Sequence, residues 1–156
     1  MVQLMNKNKH RDDGMRYETS AGGVVYFGNA ILLLKKYNGD WVLPKGKVEH
    51  LETTRDTAVR EVAEESGVKA DVLRYLGAIH YVYQASWARN ENIYKTVHWF
   101  LMQSRTMRCF PQRSEGFVEA RFVHMDRVLE IVKYNDERKM VQKGLEQLEQ
   151  LGKKIK

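Results

Sequence analysis

Residues 46–68 read GKVEHLETTRDTAVREVAEESGV, and this stretch predicts a helix over Thr53–Ser66. Thr53 followed three residues later by Asp56 is a capping-box signature, and Gly67 stands where a helix end needs a residue tolerant of positive φ. At about 100° per residue, Val59, Val62 and Ala63 share one face and are expected to pack on a sheet. Glu61, Glu64 and Glu65 gather on roughly the opposite face, because offsets of three and four residues bring side chains together. Like charges at that spacing repel, so three carboxylates on one turn suit a hard divalent cation such as Mg²⁺ or Mn²⁺. Arg60 lies between the two faces and can grip Glu52 at the helix entrance or Glu64 one turn on. A planar guanidinium on a carboxylate is a rigid brace, which assigns Arg60 and Glu52 to positioning. An acidic amphipathic helix is commonly only a solvated face. Here the glycines, the Arg-Glu pair and the Glu-Glu pair all stand in one register.

Before this stretch, Tyr17–Phe27 and Ala30–Tyr37 read as a hairpin about Gly28-Asn29. Trp41–Leu43 is a short strand stopped by Pro44. After it, Asp71–Ala85 and Ile93–Ser104 are rich in Tyr, Val, Ile and Trp and read as strands joined by a polar loop. Arg105–Gly116 is expected as loop and Glu119–His124 as a last strand. Asp126 can cap a short helix through Val132, and Asn135-Asp136-Glu137 opens a final helix striped with Met140, Val141, Leu145, Leu148 and Leu151. Residues 1–14 lack periodicity and read as a flexible lead-in. Residues 15–156 are then expected to form a single mixed α/β domain.

Composition is that of a soluble globular chain, with 43% hydrophobic and 29% charged residues in 156, enough to bury a core. The net charge is +6. Residues 46–68 nevertheless hold Glu49, Glu52, Asp56, Glu61, Glu64 and Glu65 against only Lys47, Arg55 and Arg60, so the remainder is more basic still. An acidic cluster inside a basic protein suits a metal within a site that attracts polyanions. Cys109 is the single cysteine, which excludes an intramolecular disulfide framework and a thiolate zinc site. Met1–Arg16 is polar, without an apolar signal core, and the expected location is the cytoplasm. Of the histidines, His80 and His98 fall in strand patterns with no second His at ligand spacing. Hydrogen-bonded or core roles suit them better than catalysis.

The stretch from Gly46 to Val68 is similar to the Nudix box, with Gly46, Glu52, Arg60, Glu61, Val62, Glu64, Glu65, Gly67 and Val68 at its defined positions. The resemblance extends over roughly Tyr17–Leu151. It implies an α/β/α sandwich with a mixed β-sheet, and metal-dependent hydrolysis of a nucleoside diphosphate linked to another group. Carried over, Glu61, Glu64, Glu65 and the Gly46 carbonyl are metal ligands. The general base is Glu61 or an acid from a later loop, Glu115 or Glu119. Trp41-Val42-Leu43-Pro44-Lys45-Gly46-Lys47 resembles the form found in dinucleoside polyphosphate and diphosphoinositol polyphosphate hydrolases. Lys45 and Lys47 then lie where a phosphate chain would run. Residues 88–100 resemble the corresponding region of asymmetric diadenosine tetraphosphate hydrolases, so Arg89 and Lys95 are candidates for distal phosphates. Tyr81, Tyr83 and Trp99 are candidates for stacking on a base, although one aromatic set is expected to be core.

The resemblance favours cleavage of diadenosine tetraphosphate to ATP and AMP by a monomer or homodimer, with no nucleic acid or membrane partner. Diphosphoinositol polyphosphates or nucleoside triphosphates are the alternative substrates. A non-catalytic nucleotide-sensing module is the alternative of another class, and such modules usually lose acids that this chain keeps.

Overall fold

A computed structural model describes residues 9–10, 15–84 and 91–155. Eight strands form one mixed sheet: β1 (Lys9–His10), β2 (Met15–Phe27), β3 (Ala30–Lys36), β4 (Trp41–Val42), β5 (Lys45–Lys47), β6 (Ala70–Gln84), β7 (Asn92–Ser104) and β8 (Phe117–His124). Three helices cover it: α1 (Thr54–Ser66), α2 (Met125–Ile131) and α3 (Asn135–Ile155). β2 runs parallel to β7 from Met15↔Asn92 to Tyr26↔Gln103, and β6 pairs antiparallel to β7. β2 and β3 form the expected hairpin but remain paired only at Tyr26↔Ile31 and Phe27↔Ala30. Beyond that point they part. β3 continues with β4 and β8, while β2 takes up β5 through Ser20↔Lys47, Ala21↔Gly46 and Gly22↔Lys45.

The apolar runs sort by alternation, since successive strand residues point to opposite faces. Val25, Leu32, Phe100, Met102 and Phe122 meet Ala58 and Val62 of α1 on one face. Val24, Ile31, Leu33, Trp99, Leu101 and Val123 meet Val128 of α2 and Met140 and Val141 of α3 on the other. A sheet covered on both faces explains why Ala30–Leu34 is apolar without alternation and is buried throughout. This is the expected α/β/α sandwich.

Several expectations need correction. Lys45–Lys47 continues as strand after Pro44, because its backbone pairs with β2. Lys9–His10 pairs with Tyr17 and Arg16 rather than forming a free lead-in; the rest of residues 1–14 lies outside the described residues. His124, not Asp126, caps α2: its Nδ1 accepts the Asp126 N–H at 3.1 Å. Within the Arg105–Gly116 loop a 3-10 turn forms at Arg113–Glu115.

Candidate active site

The capping box at α1 forms as read. The Thr53 hydroxyl accepts the Asp56 N–H at 3.1 Å, and Gly67 closes the helix at φ 72°, donating to the Ala63 carbonyl. The buried stripe differs from the expected one. Thr57, Ala58, Val62, Glu65 and Ser66 are buried, Ala63 is half-buried, and Val59 is exposed. The wheel misled because three buried positions are polar. The Thr57 hydroxyl donates to Glu52 at 2.8 Å and that of Ser66 to the Val62 carbonyl at 2.6 Å, so both bury without an unpaired group.

Glu52 and Arg60 form the expected brace in bidentate geometry, with Nε–Oε2 at 2.6 Å and Nη2–Oε1 at 2.9 Å. The same Glu52 accepts the Glu49 N–H at 2.9 Å, and Arg60 donates to the Lys47 carbonyl at 3.0 Å. One ion pair thus ties the loop before α1 to the helix on both sides. Arg60 holds the Glu52 carboxyl down at about 2, although partial burial opposes it. Arg60 also reaches Glu61 at 2.8 Å and Glu64 at 3.1 Å.

Gly46 explains its own identity: any Cβ there would fall on the Glu61 carboxyl. The pairing of β5 with β2 therefore brings the Gly46 backbone against Glu61. Burial raises the Glu61 carboxyl, with Arg60 opposing and Glu64 and Glu115 adding to the rise. Glu65 is 6% exposed and accepts the Lys45 N–H at 2.8 Å. Burial, with Glu61 and Glu115 nearby, pushes it up to about 8. Four acids thus share this neighbourhood, and two of them, Glu61 and Glu64, are already paired with Arg60. Among the described residues no three such side chains are gathered tightly enough to ring an ion. Glu61 and Glu64 are turned onto Arg60, and Glu65 onto the Lys45 N–H. The donors fit Mg²⁺ or Mn²⁺ in kind, being hard oxygens beside a backbone that a side chain would block.

Of the two later acids, Glu115 comes to the site and Glu119 does not. The Arg105–Gly116 loop docks on the end of α1, where Phe110 N–H donates to the Ser66 carbonyl and Gln112 N–H to that of Glu65, each at 3.0 Å. This delivers Glu115 close enough to act on Glu61 and Glu65. Glu119 instead pairs with Arg121, whose guanidinium stacks on Trp41 at 5.5 Å.

Glu65 opens on a cavity of about 440 Å³, of small-molecule size, walled by Leu43, Ile79, Val97 and Trp99, with Tyr81 and Tyr134 at its sides. Trp99 is core, 1% exposed, yet its Nε1–H has no partner among the described residues. Tyr81 and Tyr83 lie on one face with ring centroids 6.0 Å apart. His80 and His98 are hydrogen-bonded as expected, to Thr96 and Tyr75.

Lys45, Lys47 and Lys95 come from two strands and converge. Burial, with Lys45 and Lys47 nearby, pushes the Lys95 ammonium down to about 8 against the pull of Glu18. Arg89 lies outside the described residues. Two further residues went unread in the sequence. Glu137 of α3 is 6% exposed in the cavity wall and accepts the Leu43 N–H at 2.7 Å. Glu18 of β2 is 3% exposed and bonds Lys47 and Tyr83. A helix-opening Asp136-Glu137 after the aromatic Tyr134 was the available hint for the first. For the second it was the single acid of β2, two residues after Arg16.

The description "NUDIX domain" matches residues 16–144. The chain belongs to the Nudix family. The Nudix box is therefore Gly46–Val68, on the β5–α1 element. The chain is similar to a Mycobacterium tuberculosis protein named "Putative mutator protein MutT4", 40% identical over 98 residues that cover 56% of this chain and 38% of that protein. It is also similar to the asymmetrical bis(5'-nucleosyl)-tetraphosphatase of Sus scrofa, 29% identical over 119 residues, 72% of this chain and 76% of that one. The chain spans between about a third and three fifths of the length of three of the curated relatives it matches. In fold it resembles a C. elegans Ap4A hydrolase binary complex, with a TM-score of 0.65 at 21% identity over 84% of this chain and 97% of that one.

Proposed function

We propose that this chain is a divalent-metal-dependent phosphoanhydride hydrolase of nucleoside polyphosphates, with diadenosine tetraphosphate as favoured substrate and ATP and AMP as products. The observation that carries this reading is one juxtaposition. Glu65, a box carboxylate, shares a cavity wall with Lys45, Trp99 and Tyr81. Acid for a metal, cation for phosphate and aromatic surface for a base thus meet in one place.

Glu61, Glu64, Glu65 and the Gly46 carbonyl would hold Mg²⁺, or Mn²⁺ in its stead. Such an ion supplies charge neutralisation for the phosphates and acidifies water. Arg60 and Glu52 keep the acids in register. Glu115 or Glu61 takes the proton as water attacks one phosphorus, and the bridging oxygen opposite departs with its electron pair. Lys45, Lys47 and Lys95 meet the phosphate chain, and the cavity takes one nucleoside, with Tyr81 beside the base. The apolar walls favour a nucleobase over an inositol ring, which would ask for a denser set of cations.

A substrate panel in Mg²⁺ with products resolved by chromatography tests the reading. Equal amounts of ATP and AMP from diadenosine tetraphosphate are expected. Turnover of nucleoside triphosphates alone, or of diphosphoinositol polyphosphates alone, would sink the substrate assignment. Glu64→Gln is expected to lower turnover about 100-fold or more while nucleotide binding survives. Unchanged turnover in that variant would show that the metal site lies elsewhere.

A further inference from the structure

Among the described residues, Glu18 is the most deeply buried carboxylate of the sheet. It lies near the start of β2, 3% exposed, directly across from Lys95 of β7 in the parallel register. Its Oε1 accepts from Lys47 Nζ and from Arg16 Nη2, each at 3.2 Å, and its Oε2 accepts the Tyr83 hydroxyl at 3.1 Å. Strand alternation sets Glu18, Lys95 and Tyr83 on the face that further along carries Trp99 and Tyr81. The cluster therefore shares the sheet face on which the cavity lies. Lys47 joins it from β5, one residue past Gly46.

A purely structural ion pair does not account for this arrangement. The Lys47 side chain is 65% exposed and could be solvated, as long surface ammoniums usually are. Instead it turns inward to a carboxylate already held by Arg16 and Tyr83. Lys45 and Lys95 are close enough to repel one another, and Lys47 adds to that repulsion. Without an anion in their midst, three such cations would spread apart. Glu18 is that anion, and burial keeps it from being screened by solvent. Burial opposes its charge, yet Lys47, Tyr83 and Lys95 together hold its carboxyl below the ordinary carboxylate value.

We propose that Glu18 is a positioning residue for polyphosphate: it holds Lys47 and Lys95 gathered, so that phosphates remote from the cleaved anhydride meet cations already in place. The proposal rests on the nucleoside polyphosphate reading. Its consequence is selectivity for chain length. A substrate with three or more phosphates uses the cluster, and a monophosphate does not reach it.

The test compares Glu18→Gln, Lys47→Met and the double variant with the full wild-type chain. Kinetics are measured on diadenosine tetraphosphate, and binding of inorganic tripolyphosphate and of AMP by calorimetry. In Glu18→Gln, KM and the tripolyphosphate Kd are expected to rise about tenfold, the scale of one lost charge-assisted contact. Values of kcat within twofold and unchanged AMP binding complete the expectation, and the double variant should lose less than the two single losses combined, since both act in part through Lys47. A merely structural Glu18 would lower kcat and thermal stability without regard to phosphate number, and its effects would add to those of Lys47→Met.

Unchanged or tighter tripolyphosphate binding in Glu18→Gln overturns the proposal, since it would make Glu18 inert or a competitor of phosphate. If Glu18→Gln does not fold, Lys47→Met alone decides: the same KM and Kd rise supports the cluster, and wild-type values refute it. A wild-type chain that cleaves no dinucleoside polyphosphate but binds tripolyphosphate in a Glu18-dependent way keeps the cluster and loses the substrate. Cleavage of diadenosine tetraphosphate that is indifferent to Glu18 does the reverse.

Discussion

The two faces of the sheet are finished differently. On the α1 face the cover is close and built from small residues, with Ala21, Gly23 and Val25 of β2 under Ala58 and Val62 of α1. A Cβ on Gly23 would meet Met102 Sδ at 2.5 Å and Val62 at 3.3 Å. On the other face α3 packs tightly only along part of its length, where Gly144 lies over Val24. Toward Trp99 and Tyr81 the cover gives way to the cavity. The closed face is a mount that fixes the helix bearing Glu61, Glu64 and Glu65. The open face is left for a ligand. Glu65 belongs to both, since it projects from the mounted helix yet forms part of the cavity wall.

The largest effect that would test this division is at Gly46. Gly46→Ala is expected to cut hydrolysis about 100-fold or more, because its Cβ displaces the Glu61 carboxyl. Steady-state turnover with circular dichroism as a folding control checks it. Wild-type turnover would mean that the approach of Gly46 to Glu61 is irrelevant to chemistry. Gly23→Ala, on the closed face, should act on stability instead. Overpacking against Met102 and Val62 is expected to cost about 1–3 kcal/mol in denaturant unfolding, with kcat of the folded fraction nearly kept.

The brace offers a pH-dependent version of the same contrast. The Glu52 carboxyl ionises at about 2 in the folded chain against an ordinary 4.5, so its ion pair stabilises the fold above about pH 5. That contribution fades as pH falls from 4.5 toward 2. The melting-temperature advantage of wild type over Glu52→Gln should therefore be full at pH 7 and shrink steadily through that window. An advantage that persists unchanged at pH 2 would show that the carboxylate is not the source. The smallest effect belongs to Val59, which points to water. Val59→Lys should alter stability by no more than about 0.5 kcal/mol, and a larger loss in denaturant unfolding would return Val59 to the packed face.

What could be read in the sequence was local. Thr53 with Asp56, Gly67 at the helix end and the Gly28-Asn29 turn each depend on neighbours a few residues away, and each stands where it was expected. The brace also followed from spacing, as the Glu52–Arg60 distances show. Non-local features were out of reach. Glu18 takes its meaning from Lys47, Tyr83 and Lys95, and Glu137 from the Leu43 N–H, none of which adjoins it in the chain. The error at Val59 has a different origin. Hydrophobicity is a poor proxy for burial on a helix whose buried stripe contains a threonine, a serine and a glutamate satisfied by hydrogen bonds.

The parallel register of β2 against β7 also bears on how the molecule comes into being. Residues 15–26 cannot meet residues 92–103 until the ribosome has released both. The loop closed by that meeting contains the whole of residues 46–68. The helix α1 can form early, since its caps are local, and β5 reaches β2 across a short separation, but β2 gains its longest partner, β7, only through an event of long sequence separation. Such closures are slow steps in assembly, because chain entropy is lost before the contacts repay it. A nascent chain therefore leaves the edge of β2 that β7 takes unpaired until synthesis has passed Gln103.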